Sequence, residues 1–229
     1  LNFEEVTDIT PDVRMTLYNS GHILGSAMVH LHVGNGLHNF LYTADMKYGK
    51  SVLLNPAHTK FPRLESMMME ATYGGRDNIL PSKQEVREYF LTVLKDTIKR
   101  KGKVLIPVLG SGRAQDIMVL LEEFVRNKEI EPFDVYIDGM VWDITAIHTA
   151  YPEFLNTAIR KQIFHKDNNP FLNPIFKRVG SGKERKQVIE DAGSCIILAT
   201  SGMLVGGPSV QYLQHLADNP KNSLVFVCY

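Results

Sequence analysis

One histidine sits where glycines shape the backbone on both sides, in Ser20-Gly21-His22-Ile23-Leu24-Gly25-Ser26-Ala27. Glycines permit a tight path, and a neutral imidazole held in one direction makes a good zinc ligand. The plainer reading is a turn histidine held by hydrogen bonds. Tyr42-Thr43-Ala44-Asp45 ends an apolar stretch on a carboxylate. Such an oxygen ligand could bridge two cations, as two-metal hydrolases need with ions about 3.5–4 Å apart, or it could begin a turn. Met67-Met68-Met69-Glu70 ends a second apolar run on an acid. A carboxylate there could orient a histidine by accepting its ring N–H, or could cap a helix or pair with a cation.

Two glycine-bearing stretches suit anions. Gly110-Ser111-Gly112-Arg113 follows an apolar run and opens a helical pattern. Backbone N–H groups at a helix start attract phosphate, so Ser111 and Arg113 are candidate contacts. The third glycine of a dinucleotide fingerprint is missing, and a tight strand-to-helix turn explains the stretch equally well. In Thr200–Pro208, Ser201 can donate to a phosphate, Gly202 allows close approach, and Pro208 suits a first helical turn. Met203 and Leu204 have no evident reason to sit in a solvated loop. They are expected to pack on a base or a neighbouring domain, unless they simply close the core. Lys177–Lys186 carries five cations and one acid, a further candidate for phosphate contact. The run Lys99–Lys103 reads as a complement to a helix end. His30 and His32 share one strand face and read as a solvent-facing pair. His148, His165 and His215 read as structural or surface residues.

These residues need elements to position them. The first sixty residues read as antiparallel strands, Val13–Tyr18, Ala27–Val33 and Asn39–Thr43, with Gly34-Asn35-Gly36 as a hairpin turn. The rhythm then changes to strands alternating with helices. Ser82 caps a helix to about Arg100, with Glu85 completing a capping box. Strands are expected at Lys103–Leu109, Phe133–Ile137, Ile175–Val179, Ser194–Ala199 and Ser223–Tyr229. Helices are expected at Arg113–Arg126, Val141–Ala150, Lys183–Asp191 and Pro208–Ala217, and Lys166–Pro174 reads as a loop. Nearly all-apolar strands separated by helices argue an α/β fold with a buried parallel sheet. Ligands bind beyond the carboxyl ends of such strands, which is where Gly110–Arg113, Asp138-Gly139-Met140 and Thr200–Pro208 fall.

Composition excludes some classes. Lys+Arg and Asp+Glu each number 25 in 229 residues, so the net charge is zero and nucleic-acid contact must be local. The two cysteines, Cys195 and Cys228, lie in apolar runs and suit buried thiols in a reducing compartment. No apolar run approaches bilayer-spanning length. A cytoplasmic protein without membrane partners is expected.

Taken in order, Gly21–Ala27, Tyr42–Asp45, Glu70-Ala71-Thr72-Tyr73-Gly74, Ile106–Gln115 and Ala199–Met203 resemble the β-CASP metallo-β-lactamase ribonucleases, above all archaeal homologues of the cleavage and polyadenylation specificity factor endonuclease. The resemblance covers essentially the whole chain. It implies that His22 binds one zinc and that Asp45 bridges two. It implies that Glu70 is the acid that orients a further histidine. Ala44 stands where many members have glycine, and Ala71 where many have serine. The remaining ligand motifs are expected before residue 1 and after Tyr229. Residues 1–71 would then be an incomplete lactamase portion, and residues 72–229 a Rossmann-like β-CASP domain. The resemblance implies a zinc-dependent endonuclease, with or without 5′-to-3′ exonuclease activity, acting in RNA 3′-end processing or decay. Single-stranded RNA would be clamped by the inserted domain, through Ser111, Arg113, Ser201, Gly202 and Met203, and the full-length protein could form a homodimer. This piece alone is expected to bind zinc weakly and to be inactive. Two alternatives stay open: a non-catalytic RNA-binding scaffold of the same family, and a nucleotide-binding α/β domain.

Overall fold

Strands built of alternating and β-branched residues open the chain, and buried strands alternating with amphipathic helices follow. The structure, a computed structural model, describes residues 1–227. Its chain divides into two units, Leu1–Leu80 with Phe154–Thr157, and Pro81–Glu153 with Ala158 onward. The change of rhythm in the sequence marks a division earlier, after residue 71.

The first unit holds a five-stranded sheet in the order β1-β2-β3-β4-β5. Strands β1 (Val6–Thr10), β2 (Val13–Asn19), β3 (Ala27–Val33) and β4 (His38–Tyr42) form an antiparallel meander. The β3–β4 turn uses three left-handed residues, Gly34, Asn35 and Gly36, as the hairpin signal predicts. Strand β5 (Ser66–Met68) joins β4 in parallel, Tyr42 facing Met68. Glu65 fastens this pairing by accepting from the Asn39 backbone N–H at 2.7 Å and its side-chain amide at 2.8 Å. Those bonds, with the neighbouring Arg63 guanidinium, hold the Glu65 carboxyl down at about 2. The segment Phe154–Thr157 belongs to this unit. Buried Asn156 donates from its backbone to Leu53 and from its side chain to Val52.

One expectation is corrected here. His30 and His32 do not face solvent: His30 is fully buried and His32 half-buried. The stretch His58–Phe61 folds over this face. Tyr18 stacks on His58 with ring centroids 4.5 Å apart, and Phe61 meets both Tyr18 and His30 edge-on. Alternation along β3 identifies a shared face but not a later loop that covers it. Burial lowers the pKa of His30, and His32 beside it adds to the effect.

The second unit holds an all-parallel sheet in the order β10-β6-β9-β7-β8. Its strands are β6 (Val104–Pro107), β7 (Val135–Asp138), β8 (Phe176–Val179), β9 (Ile196–Ala199) and β10 (Ser223–Leu224). Every residue of β6 and β9 is buried, so both faces of the sheet are covered, as near-continuous apolar strands require. The expected last strand was longer, and its final residues, Cys228 and Tyr229, lie outside the described residues. Helices α1 (Lys83–Lys99), α2 (Arg113–Arg126) and α3 (Val141–Ala150) form where expected. Ser82 and Glu85 make the full capping box, a feature that typically contributes about 1 kcal/mol. Helix α4 (Thr157–Lys166) has weak amphipathicity and only Ile159 buried, which explains why its sequence does not announce it. Helices α5 (Gly182–Glu190) and α6 (Pro208–Leu216) close one face with Val188, Tyr212 and Leu216. Lys103 is buried beyond helix α1. Its ammonium donates to the carbonyls of Val188, Ile189 and Asp191, so it caps the end of α5 and not that of α1.

Candidate functional site

The topology of the first sheet brings three candidate residues to one end. Strands β4 and β5 run parallel and stop together, so Thr43–Asp45 and Glu70 emerge side by side. Strand β3 starts opposite the end of β4, so the turn before it, which holds His22, lies at the same end. The turn is internally fastened. The Ser26 hydroxyl accepts from Ile23 N–H at 3.1 Å and from the Ser20 hydroxyl at 2.7 Å. Gly21 has φ +69°, and a Cβ there would stand 2.8 Å from both Ala57 N and Asn55 O. Only glycine fits that approach.

His22 Nε2 lies 3.7 Å from Asp45 Oδ2, with both side chains open to solvent. Two donors about 3.4 Å apart are what one cation bound tetrahedrally at about 2.1 Å would require, so the pair fits two corners of a metal site. Glu70 accepts from Thr72 N–H at 2.8 Å and, at the limit of a bond, from Met46 N–H at 3.5 Å. Its own N–H donates to the Thr43 hydroxyl. These amide contacts hold the Glu70 carboxyl below the usual range, with a smaller contribution from His22. Glu70 is therefore a charged acceptor beside the pair. Among the described residues, no group of three or more His, Cys, Asp or Glu side chains is arranged to hold a metal. Ala44 takes a left-handed conformation, φ +48°. Glycine would take that conformation without the strain an alanine Cβ imposes.

The second candidate site lies on the carboxyl edge of the parallel sheet. Pro107 pairs with Ala199, Ala199 with Asp138, and Asp138 with Val179, so the four strands end level. The loops after β6, β7 and β9 abut one another. A Cβ on Gly110 would lie 3.3 Å from Met140 Cβ, and one on Gly139 would run into the Thr200 hydroxyl, 3.4 Å from Thr200 Cβ. Buried Gln115 fastens the first loop by accepting from Gly112 N–H at 2.8 Å and donating to Gly110 O at 3.1 Å and to the Thr145 hydroxyl at 3.0 Å. Arg113 is exposed at its rim, 3.6 Å from Asp116, and Ser111 is half-buried. In the third loop Ser201 is half-buried and its hydroxyl accepts from Val205 N–H at 3.2 Å. Gly202 is buried, whereas Met203 is 60% exposed. Met203 therefore does not close the core.

Sequence reasoning missed the group beneath this edge. Arg185 grips the Asp138 carboxylate with two bonds, 2.7 and 2.9 Å, and the buried Tyr212 hydroxyl donates to it at 3.1 Å. The Asp138 contact raises the Arg185 pKa. Burial, first, and the Asp138 charge, second, push the Tyr212 hydroxyl far up. An Asp closing an apolar strand was the available signal, but its partners lie 47 and 74 residues away in sequence.

Comparison with known proteins agrees with this architecture. The Beta-Casp domain model matches residues 114–229, just over half of the chain. The chain is 55% identical over its whole length to transcription termination factor FttA of Thermococcus kodakarensis, of which it spans 35%. It is 53% identical to FttA of Methanocaldococcus jannaschii and 53% identical to that of Lokiarchaeum, spanning 36% of each. The chain thus covers about a third of the length of these curated relatives. With an all-parallel α/β unit under the domain match and full-length identity to relatives above one half, the chain belongs to the β-CASP family.

Proposed function

We propose that this chain is part of a zinc-dependent ribonuclease that hydrolyses RNA phosphodiester bonds, and that the whole protein acts at RNA 3′ ends, in processing, decay or termination. The observation that carries the reading is the convergence of His22, Asp45 and Glu70 at one end of the first sheet, with His22 Nε2 and Asp45 Oδ2 3.7 Å apart. In that site His22 would donate a ring nitrogen and Asp45 a carboxylate to zinc. Bound zinc supplies a water acidified toward neutral pH and a positive charge for the scissile phosphate. Glu70, kept ionised by the amides of Thr72 and Met46, would accept a ring N–H and hold a further ligand in orientation. One imidazole and one carboxylate do not complete a zinc site, so catalysis belongs to the full-length protein. The parallel sheet's carboxyl edge would carry the RNA, with Arg113 and Ser111 on phosphate and the Ser201–Met203 loop beside them. The name of the relatives supports RNA as the partner, since a termination factor acts where a transcript ends. No helix among the described residues is long and apolar enough to cross a membrane.

The test is cleavage of end-labelled single-stranded RNA by the full-length protein. Activity should vanish on chelation and return with zinc, while dialysed residues 1–229 alone retain little zinc and cleave nothing. Two tightly held zincs in that piece, or chelator-insensitive cleavage by the full-length protein, would overturn the reading.

A further inference from the structure

We propose that the carboxyl edge of the parallel sheet is a platform for unstacked RNA bases, formed by Leu109, Met140, Met203 and Val205. The proposal rests on the reading of the chain as RNA-binding and names how the RNA is held. The four side chains are 47, 61, 60 and 85% exposed. Exposed apolar residues scattered singly need no explanation, but these four stand in the loops after three adjacent strands, β6, β9 and β7, whose backbones touch.

The loops are built to keep them outward. Ser201 N–H donates to Gly206 O at 3.3 Å, Leu204 N–H to Ser201 O at 3.3 Å, and the Ser209 hydroxyl to Ser201 O at 2.8 Å. Leu204 is held at φ +55°, a conformation that a branched residue adopts only when its surroundings impose it. This closed loop presents Met203 and Val205 to solvent although neither fills a core. Gly110 lets Met140 lie against the neighbouring loop without obstruction.

Charge selects the occupant. Residues 108–113, 138–140 and 200–208 contain a single acid, Asp138, and a single cation, Arg113. Asp138 is neutralised from below by Arg185 and Tyr212, with its side chain only 3% exposed. These three loops therefore present apolar surface, the hydroxyls of Ser111 and Ser201, and one exposed guanidinium, and the open carboxylate next to them, Asp143 in the first turn of α3, faces Arg178 at 3.9 Å. Single-stranded RNA has the matching pattern of flat apolar bases on an anionic backbone. The platform holds base faces without reading their edges, so its preference among the four bases is weak.

The experiment measures binding of a labelled short oligouridine, and of the same ribose-phosphate chain without bases, to the full-length protein in EDTA. The double substitution Met140→Ala, Met203→Ala should weaken oligouridine binding about five- to tenfold, the scale of one lost base contact. It should leave the slope of affinity against salt unchanged, and it should not alter binding of the abasic chain. Arg113→Ala should instead lower that slope by about one unit. A wild-type protein that binds oligouridine normally but is insensitive to the double substitution overturns the platform and leaves the RNA reading standing. A wild-type protein that binds neither oligonucleotide overturns both. Self-association abolished by Met203→Asp, with RNA binding intact, would make the edge an interface between copies and also overturn the platform. Val205→Ser repeats the test at the most exposed position.

Discussion

Replacing Arg185 with Met should destabilise the second unit sharply. The guanidinium makes two bonds to Asp138, at 2.7 and 2.9 Å, around a carboxylate that is 3% exposed. Methionine keeps most of the aliphatic stem but leaves the carboxylate with only the Tyr212 hydroxyl and water. Breaking a buried pair from one side costs about 3–5 kcal/mol, because the stranded charge is left without a partner. Arg185 is itself partly open, so the lower end applies, about 3 kcal/mol. Urea unfolding followed by the only tryptophan, Trp142 in α3, reports this unit. With a slope of about 2 kcal/mol/M, the midpoint should fall by roughly 1.5 M. The companion Tyr212→Phe removes one hydrogen bond to a charged group and should cost about 1.5–3 kcal/mol. A loss below about 1 kcal/mol for Arg185→Met would refute the view that this ion pair anchors the edge.

Gly21→Ala should destabilise the first unit by about 2–4 kcal/mol, combining a left-handed alanine with overlap on Ala57 N and Asn55 O. Hydrogen exchange of the β2 and β3 amides reads it, and unchanged protection would contradict it. Ala44→Gly should stabilise the same unit by about 0.5 kcal/mol, since relief of the φ +48° strain slightly exceeds the entropy glycine adds to the unfolded chain; a lower melting temperature would count against this. His148 is buried, its Nδ1 bonded to Ile144 O at 2.8 Å and its Nε2 without a partner among the described residues. Burial lowers its pKa below the ordinary imidazole value of about 6.5. The unfolded chain then takes up a proton that the folded state refuses, so stability falls as pH drops below about 6.5 and is fully present above it. His148→Gln should flatten this dependence between about pH 5 and 7, and an unaltered profile would assign the effect elsewhere.

Periodicity carried most of this fold. The meander Val13–Tyr42 alternates, the strands of the parallel sheet are continuously apolar, and Ser82 with Glu85 marks a helix start by a local rule. What escaped depends on distant partners. The short exposed strand Val6–Thr10 and the weakly amphipathic helix Thr157–Lys166 have little local signal. His30 was misread because the cover supplied by His58–Phe61 is not visible in the alternation of β3. At the candidate site, residue types picked out His22, Asp45 and Glu70 one at a time, and strand order brought them together. The ion pair Asp138–Arg185 and the exposure of Leu109, Met140 and Val205 were not legible, because burial belongs to the folded sheet and not to the residues.

The account stands or falls on Asp45. In the full-length protein Asp45→Asn keeps the shape of the side chain and removes the negative charge that would offset zinc. Metal content and cleavage of end-labelled RNA should be measured together on the same preparation. The account predicts that bound zinc falls and cleavage is lost by at least about a hundredfold, while circular dichroism and RNA affinity in EDTA are unchanged. Near-normal cleavage by the Asn variant with saturating zinc would contradict it.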